Sequence, residues 1–140
     1  MAGKMYNGQG WKYYHVGLNN VGSYQVSGTP FVTGSDALAV NTEVHYRFPK
    51  VARSVTVINF GNEDIYVHFA SKATGRTIDG LHYIPLDSDE DSITMNVKCS
   101  DLFISRPNDG GGNGSFRVIA ELTNITGSLM YPLTGSGLTT

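Results

Sequence analysis

With 140 residues, 12 acidic and 10 basic side chains and a formal net charge of −2, the chain is the length of one domain and presents no basic footprint for nucleic acid. Its one cysteine, Cys99, excludes an intramolecular disulfide, and a chain this long buries enough surface to fold without disulfide or metal. No apolar run approaches the roughly 18 residues of a membrane span, and residues 1–8 lack a secretory apolar stretch, so the expectation is no nucleic-acid partner, no membrane and assembly in a reducing compartment.

Charge is unevenly placed along the chain. Of 22 charged residues, 19 lie between Glu43 and Glu121, whereas residues 13–35 and 127–140 carry none. These charge-poor ends of the chain hold Trp11, Tyr13, Tyr14, Tyr24, Phe31 and Tyr131. That is too much aromatic surface for loose tails, which are usually charged and poor in aromatics. The ends are expected to lie on their own domain or on a neighbouring copy. We take 1–39 as an N-terminal arm with short strands, 40–126 as the core and 127–140 as a C-terminal tail.

The middle reads as strands. Val44, Tyr46 and Phe48 alternate with Glu43, His45 and Arg47, a period of two. Val51, Val55 and Val57 share a face, Gly61-Asn62 interrupts, and Ile65, Val67 and Phe69 resume against Tyr66 and His68, which predicts a hairpin. Further strands are predicted at 81–85, 92–98, 101–105 and 115–125, the last with Phe116, Val118, Ala120 and Leu122 on one face. Turn formers such as Asp109–Gly114 separate them, and no segment has helical periodicity. The prediction is an all-β protein, a single antiparallel β-sandwich or jelly-roll-like domain with extended N- and C-terminal arms.

Motifs for chemistry are weak. Asp87, Asp89 and Asp91 match the opening of a calcium loop, but Ser92 stands where the turn glycine belongs and Lys98 where the bidentate glutamate belongs. A solvated turn before a strand is the plainer reading. His45 and His68 lie on the polar phase of their strands and are placed to meet across a sheet, without the ligand spacing of a zinc site. The Gly110–Gly114 run lacks the Gly-Lys-Ser/Thr ending of a phosphate loop and reads as a flexible hairpin connection. Cys99 reads as a small buried apolar residue. No catalytic residue and no cofactor is assigned. Trp11, Tyr13, Tyr14, Tyr24, Phe31 and Tyr131 are the candidate interface residues, since aromatics with polar tips favour protein contacts.

The segments Val21–Thr33, Tyr46–Pro49, Val55–Asn59, His82–Leu86, Val97–Ile104 and Phe116–Ile125 resemble small virion proteins of tailed bacteriophages. The resemblance implies an auxiliary head protein, a decoration or cement protein on a capsid lattice. Such proteins are commonly β-sandwich modules, often trimeric, that clamp neighbouring capsomers. It also implies that the partners are the major capsid protein and further copies of the chain, with assembly in a bacterial cytoplasm and residence on the virion surface. The alternatives are another phage structural component, at the head–neck or tail, and a carbohydrate-binding sandwich.

Overall fold

The computed structural model describes residues 16–25 and 28–140. They hold seven strands: β1 (Thr29–Leu38), β2 (Glu43–Asn59), β3 (Ile65–His68), β4 (Ile84–Leu86), β5 (Ser92–Met95), β6 (Cys99–Ser105) and β7 (Gly114–Thr126). One short helix, α1 (Gly22–Gln25), precedes them. Every pairing is antiparallel, in the order β1-β7-β2-β6-β3-β4, with β5 on β2 beside that path. The all-β antiparallel fold expected from the alternating sequence is therefore the fold observed.

The length of β2 explains the architecture. Its first residues, Glu43–Arg47, pair with β6, and its last, Val55–Ile58, lie between β5 and β7. Between them the register shifts on both sides, from Arg47 to Ala52 against β6 and around Ala52 against β7. Pro49, which has no N–H to give a ladder, sits in this stretch, where a proline inside a sheet is tolerated. Ala52 is fully buried and faces both Cys99 and Leu122, so its small side chain lets three strands meet. The carbonyl of Val51 is satisfied by the buried Thr123 hydroxyl, which donates to it at 2.7 Å.

The strand thus enters two layers, β2-β6-β3-β4 and β1-β7-β2-β5. Their facing sides make one core. Val55, Val57, Phe116, Val118 and Ala120 meet Ile65, Val67, Leu102 and Ile104, all fully buried. Rings lock the layers: Tyr46 meets Phe116 edge-on at 6.1 Å, and Phe31 meets Phe48 at 5.1 Å. Burying each such side chain contributes about 1.5–3 kcal/mol.

Two expected hairpins are absent. Gly61-Asn62 joins β2 to β3, yet β3 pairs with β6 and β4. Buried Asn59 diverts the chain here: its amide donates to the carbonyls of Glu63, Leu86 and Asp87, and Gly61 N–H donates to its side-chain oxygen. Likewise Asp109–Gly114 joins β6 to β7, which are not partners. The loop is pinned by Arg106, whose side chain is fully buried. Its guanidinium meets Glu63 at 2.8 Å and Asp109 at 2.9 Å and donates to the Gly112 carbonyl at 3.1 Å. A β-carbon on Gly111 would lie 2.3 Å from the Glu63 carboxylate and 2.6 Å from the Arg106 guanidinium, so a side chain here would push the ion pair aside.

Residues 29–38, expected within the N-terminal arm, form β1, paired along β7. Residues 127–140 fold back on their own domain. Met130 joins Val51 and Ile125 in a second small cluster, Leu133 packs against both clusters, and the Thr139 carbonyl accepts from Arg76 N–H at 3.0 Å.

Two outcomes follow for stability. A fragment of residues 40–126 loses β1 and the covering tail, so its urea midpoint should fall well below that of the full chain or its cooperative transition should vanish. Arg106→Ala should cost about 3 kcal/mol in urea unfolding, since it strips a buried hub from two carboxylates and the Gly112 carbonyl.

Candidate functional site

The two layers present different outer faces. On the β2-β6-β3 side, cross-strand register places His45, Phe103 and His68 in one row. Their rings stack, His45 on Phe103 at 4.3 Å and His68 on Phe103 at 5.8 Å. The two histidines therefore do lie on one face, separated by a phenylalanine. His45 is exposed and bonds the Asp101 carboxylate at 2.8 Å, which also holds Arg47 at 3.1 Å.

His68 is buried although its strand phase suggested the surface, because the segment after β3 folds over it. Its Nδ1 bonds the Ala70 carbonyl, which only accepts, so Nδ1 carries the proton. Nε2 then accepts from the Ser105 hydroxyl at 2.6 Å. Glu43, 3.8 Å from Nε2, accepts from Ser71 Oγ at 2.9 Å and Lys72 N–H at 2.7 Å and so ties down the covering segment. A serine donating to a histidine resembles an activated nucleophile. Here both residues are sealed from solvent, so the pair's geometry serves packing. Cys99 is also sealed, and burial pushes its thiol up to about 12.

The acidic run does not gather into a metal site. Asp91 turns its carboxylate onto the N–H groups of Asp87 (3.1 Å) and Ser92 (3.0 Å) and closes the turn before β5. Among the described residues no three His, Cys, Asp or Glu side chains group to hold a metal ion.

On the β1-β7-β2-β5 side, register aligns Val32, Ile119, Thr56 and Thr94 across four strands. Val32 is 67% exposed, Thr94 is exposed, and Ile119 and Thr56 are half-buried. The threonine hydroxyls bond each other at 2.9 Å. Charges flank this row as closed pairs, Arg117 with Asp36 at 2.8 Å and Arg53 with Glu121 at 2.9 Å. The Arg117 hydrogen bond holds the Asp36 carboxyl below the usual carboxylate range. The result is an uncharged, β-branched sheet face, ringed by salt bridges and open to solvent.

The candidate interface residues are dispersed. Trp11, Tyr13 and Tyr14 lie outside the described residues. Phe31 points into the core against Phe48. Tyr24, in α1, donates its hydroxyl to the Leu18 carbonyl at 2.6 Å and lies under Lys98. Tyr131 is 58% exposed and close enough to Tyr24 to raise its pKa slightly beyond the effect of burial. With exposed Val21 and Leu129, the pair marks a small apolar end of the domain, flanked by Lys98 and Arg53, which donate to the Leu18 and Tyr24 carbonyls.

Family models, curated proteins and solved structures all gave no match to this chain. Its surfaces are therefore the basis for function. Sequence reading missed the open face, although it assigned three of the four strands that build it: Val32 fell in the presumed arm, and Ile119 and Thr56 lie on the outward phase of their strands. Arg106 and Ser105 gave no sequence signal, since neither belongs to a motif.

Burial lowers the His68 pKa from its ordinary value. The neutral form is then favoured by folding, so its stabilisation is present above about pH 6.5 and is lost as pH falls from there through the folded pKa. The parent protein should lose urea stability between pH 7 and pH 5. His68→Gln should be weaker at pH 7 by about 1–3 kcal/mol, with the gap closing toward pH 5. Parallel titration curves for the two would assign the acid sensitivity elsewhere.

Proposed function

We propose that this protein is a non-enzymatic virion structural protein that decorates a capsid lattice and stabilises it through contacts with the major capsid protein and with its own neighbours. The observation that carries the reading is the uncharged row Val32–Ile119–Thr56–Thr94, open on a rigid four-strand sheet. Charge depletion at the centre with polar groups at the rim is how protein contact surfaces are composed. Desolvating this row costs little, because its only polar side chains already bond each other. The closed ion pairs around it are suited to excluding water.

A ligand that binds only the assembled shell stabilises it by mass action. Many copies on a repeating lattice add weak contacts through effective concentration. The sequence resemblance to small phage virion proteins supports the same role, on the surface of a particle assembled in a bacterial cytoplasm.

Co-sedimentation with virus-sized particles from the source lysate tests the reading. The protein should pellet in fixed ratio to an abundant shell protein and resist a salt wash, since the proposed contact is uncharged. Val32→Glu and Thr94→Glu together should abolish pelleting while the circular dichroism spectrum stays unchanged, because both positions are exposed. A parent protein that stays in the supernatant, or a double variant that pellets as before, would count against the assignment.

A further inference from the structure

A polar cleft opens where β2 begins and β6 ends, on the layer opposite the open sheet face. Its volume, about 520 Å³, lies within the roughly 300–1,000 Å³ of small-molecule sites. Four separate stretches of chain build it: Asn41 before β2, Tyr66 in β3, residues between 72 and 79 after β3, and residues 106–108 after β6. Each is tied in place. Asn41 N–H donates to the Arg106 carbonyl at 3.0 Å and Arg106 N–H to the Thr42 carbonyl at 2.9 Å. Lys72 N–H donates to the Glu43 carboxylate at 2.7 Å, and Arg76 N–H to the Thr139 carbonyl at 3.0 Å. Tyr66 is stacked on Tyr83, with ring centroids 4.1 Å apart. The walls are therefore built before anything enters, which spares a ligand the cost of ordering them.

The polar groups of the cleft are unused. The side chains of Asn41, Asp79 and Asn108 are exposed and make no hydrogen bond or ion pair among the described residues. Lys72 lines the same cleft, yet its ammonium reaches only the Asn41 carbonyl, at 3.5 Å. A lysine and an aspartate that share a cleft without pairing leave room for a ligand between them. Beside them Tyr66 and Ile78, both half-buried, supply apolar wall.

Those groups select a ligand class. Arg106, the other cation lining the cleft, is buried and paired with Glu63 and Asp109, and Asp79 offsets Lys72. No positive surplus is left to draw a phosphate or a sulfate. Tyr66 is paired with Pro85 on one side and Ser105 on the other, so no strand edge is open to a peptide. What remains is a carboxylate that accepts, an ammonium that donates and two amides that do both, beside an aromatic ring. Neighbouring hydroxyls on a ring with an apolar C–H face match that set. We propose that this cleft binds a neutral oligosaccharide, with Tyr66 against the C–H face of a sugar and Asp79, Asn41 and Asn108 bonding its hydroxyls.

An array of immobilised neutral, sialylated and sulfated oligosaccharides, probed with the full chain, tests this site, which stands independently of the virion role. The chain should retain neutral glycans, and calorimetry with the one it retains best should give the reference affinity. Asp79→Ala and Asn108→Ala should each lower that affinity about tenfold, the loss of a hydrogen bond to the ligand. Both should keep the parent's urea midpoint, because the two side chains are exposed and unpartnered. The Val32→Glu, Thr94→Glu double variant, altered on the opposite layer, should bind as the parent does. Retention of no neutral glycan, preference for the sialylated or sulfated ones, or an affinity indifferent to both cleft substitutions would overturn the proposal.

Discussion

The molecule depends on one strand belonging to two layers at once. Where β2 passes from β6 to the space between β5 and β7, the ladder shifts register on both sides. The cost of that interruption is kept small by Ala52, which occupies little space, and by Thr123, whose hydroxyl takes the place of a ladder donor. Everything beyond the bend follows from it. β5 and β6 run in succession along the same side of β2, so they must turn with it, and the two half-sheets close face to face over Phe48, Phe116 and their neighbours.

Because the sheet folds over itself, its outer surfaces have separate fates. One is partly covered by the long segment after β3 and by the C-terminal residues, so His68 and Ser105, on the polar phase of β3 and β6, become interior. That burial converts His68, Ser105 and Glu43 from surface groups into a connected network. The opposite surface keeps an exposed row of β-branched residues. Arg106 and Asn59 act at the ends of strands, where carbonyls leave the ladders and need donors. Among the described residues no buried side-chain polar atom lacks a partner, and these buried hubs are part of the reason.

How far the sequence reveals this depends on the range of the forces involved. The alternations Val44–Tyr46–Phe48 and Phe116–Val118–Ala120–Leu122 are local signals of one buried face, and the strands they predicted are present. Pairing is not local. Gly61-Asn62 has turn chemistry, but the hydrogen bonds of Asn59 to residues 27 and 28 positions away decide where the chain goes. The same holds for the glycine-rich loop, where Arg106 and Glu63, 43 residues apart, replace flexibility with an ion pair. The candidate interface aromatics were chosen by composition, which does not distinguish Phe31, half-buried against Phe48, from Tyr131, open to solvent. The open face required knowledge of which strands are neighbours, and so did the contact between His68 and Ser105.

The strand order also sets a timetable for making the protein. β1 has β7 as its ladder partner, and β7 is the last of the described strands to leave the ribosome. While the chain is being synthesised, the first strand waits with its backbone groups unpaired, and Phe48, Val55 and Val57 wait for Phe116 and Val118. The fold is therefore completed only once β7 has emerged, and not element by element from β1 onward. A nascent chain of this kind carries exposed strands until then. The scarcity of charge in its first 42 residues leaves it few gatekeepers against pairing with another nascent chain on the same message.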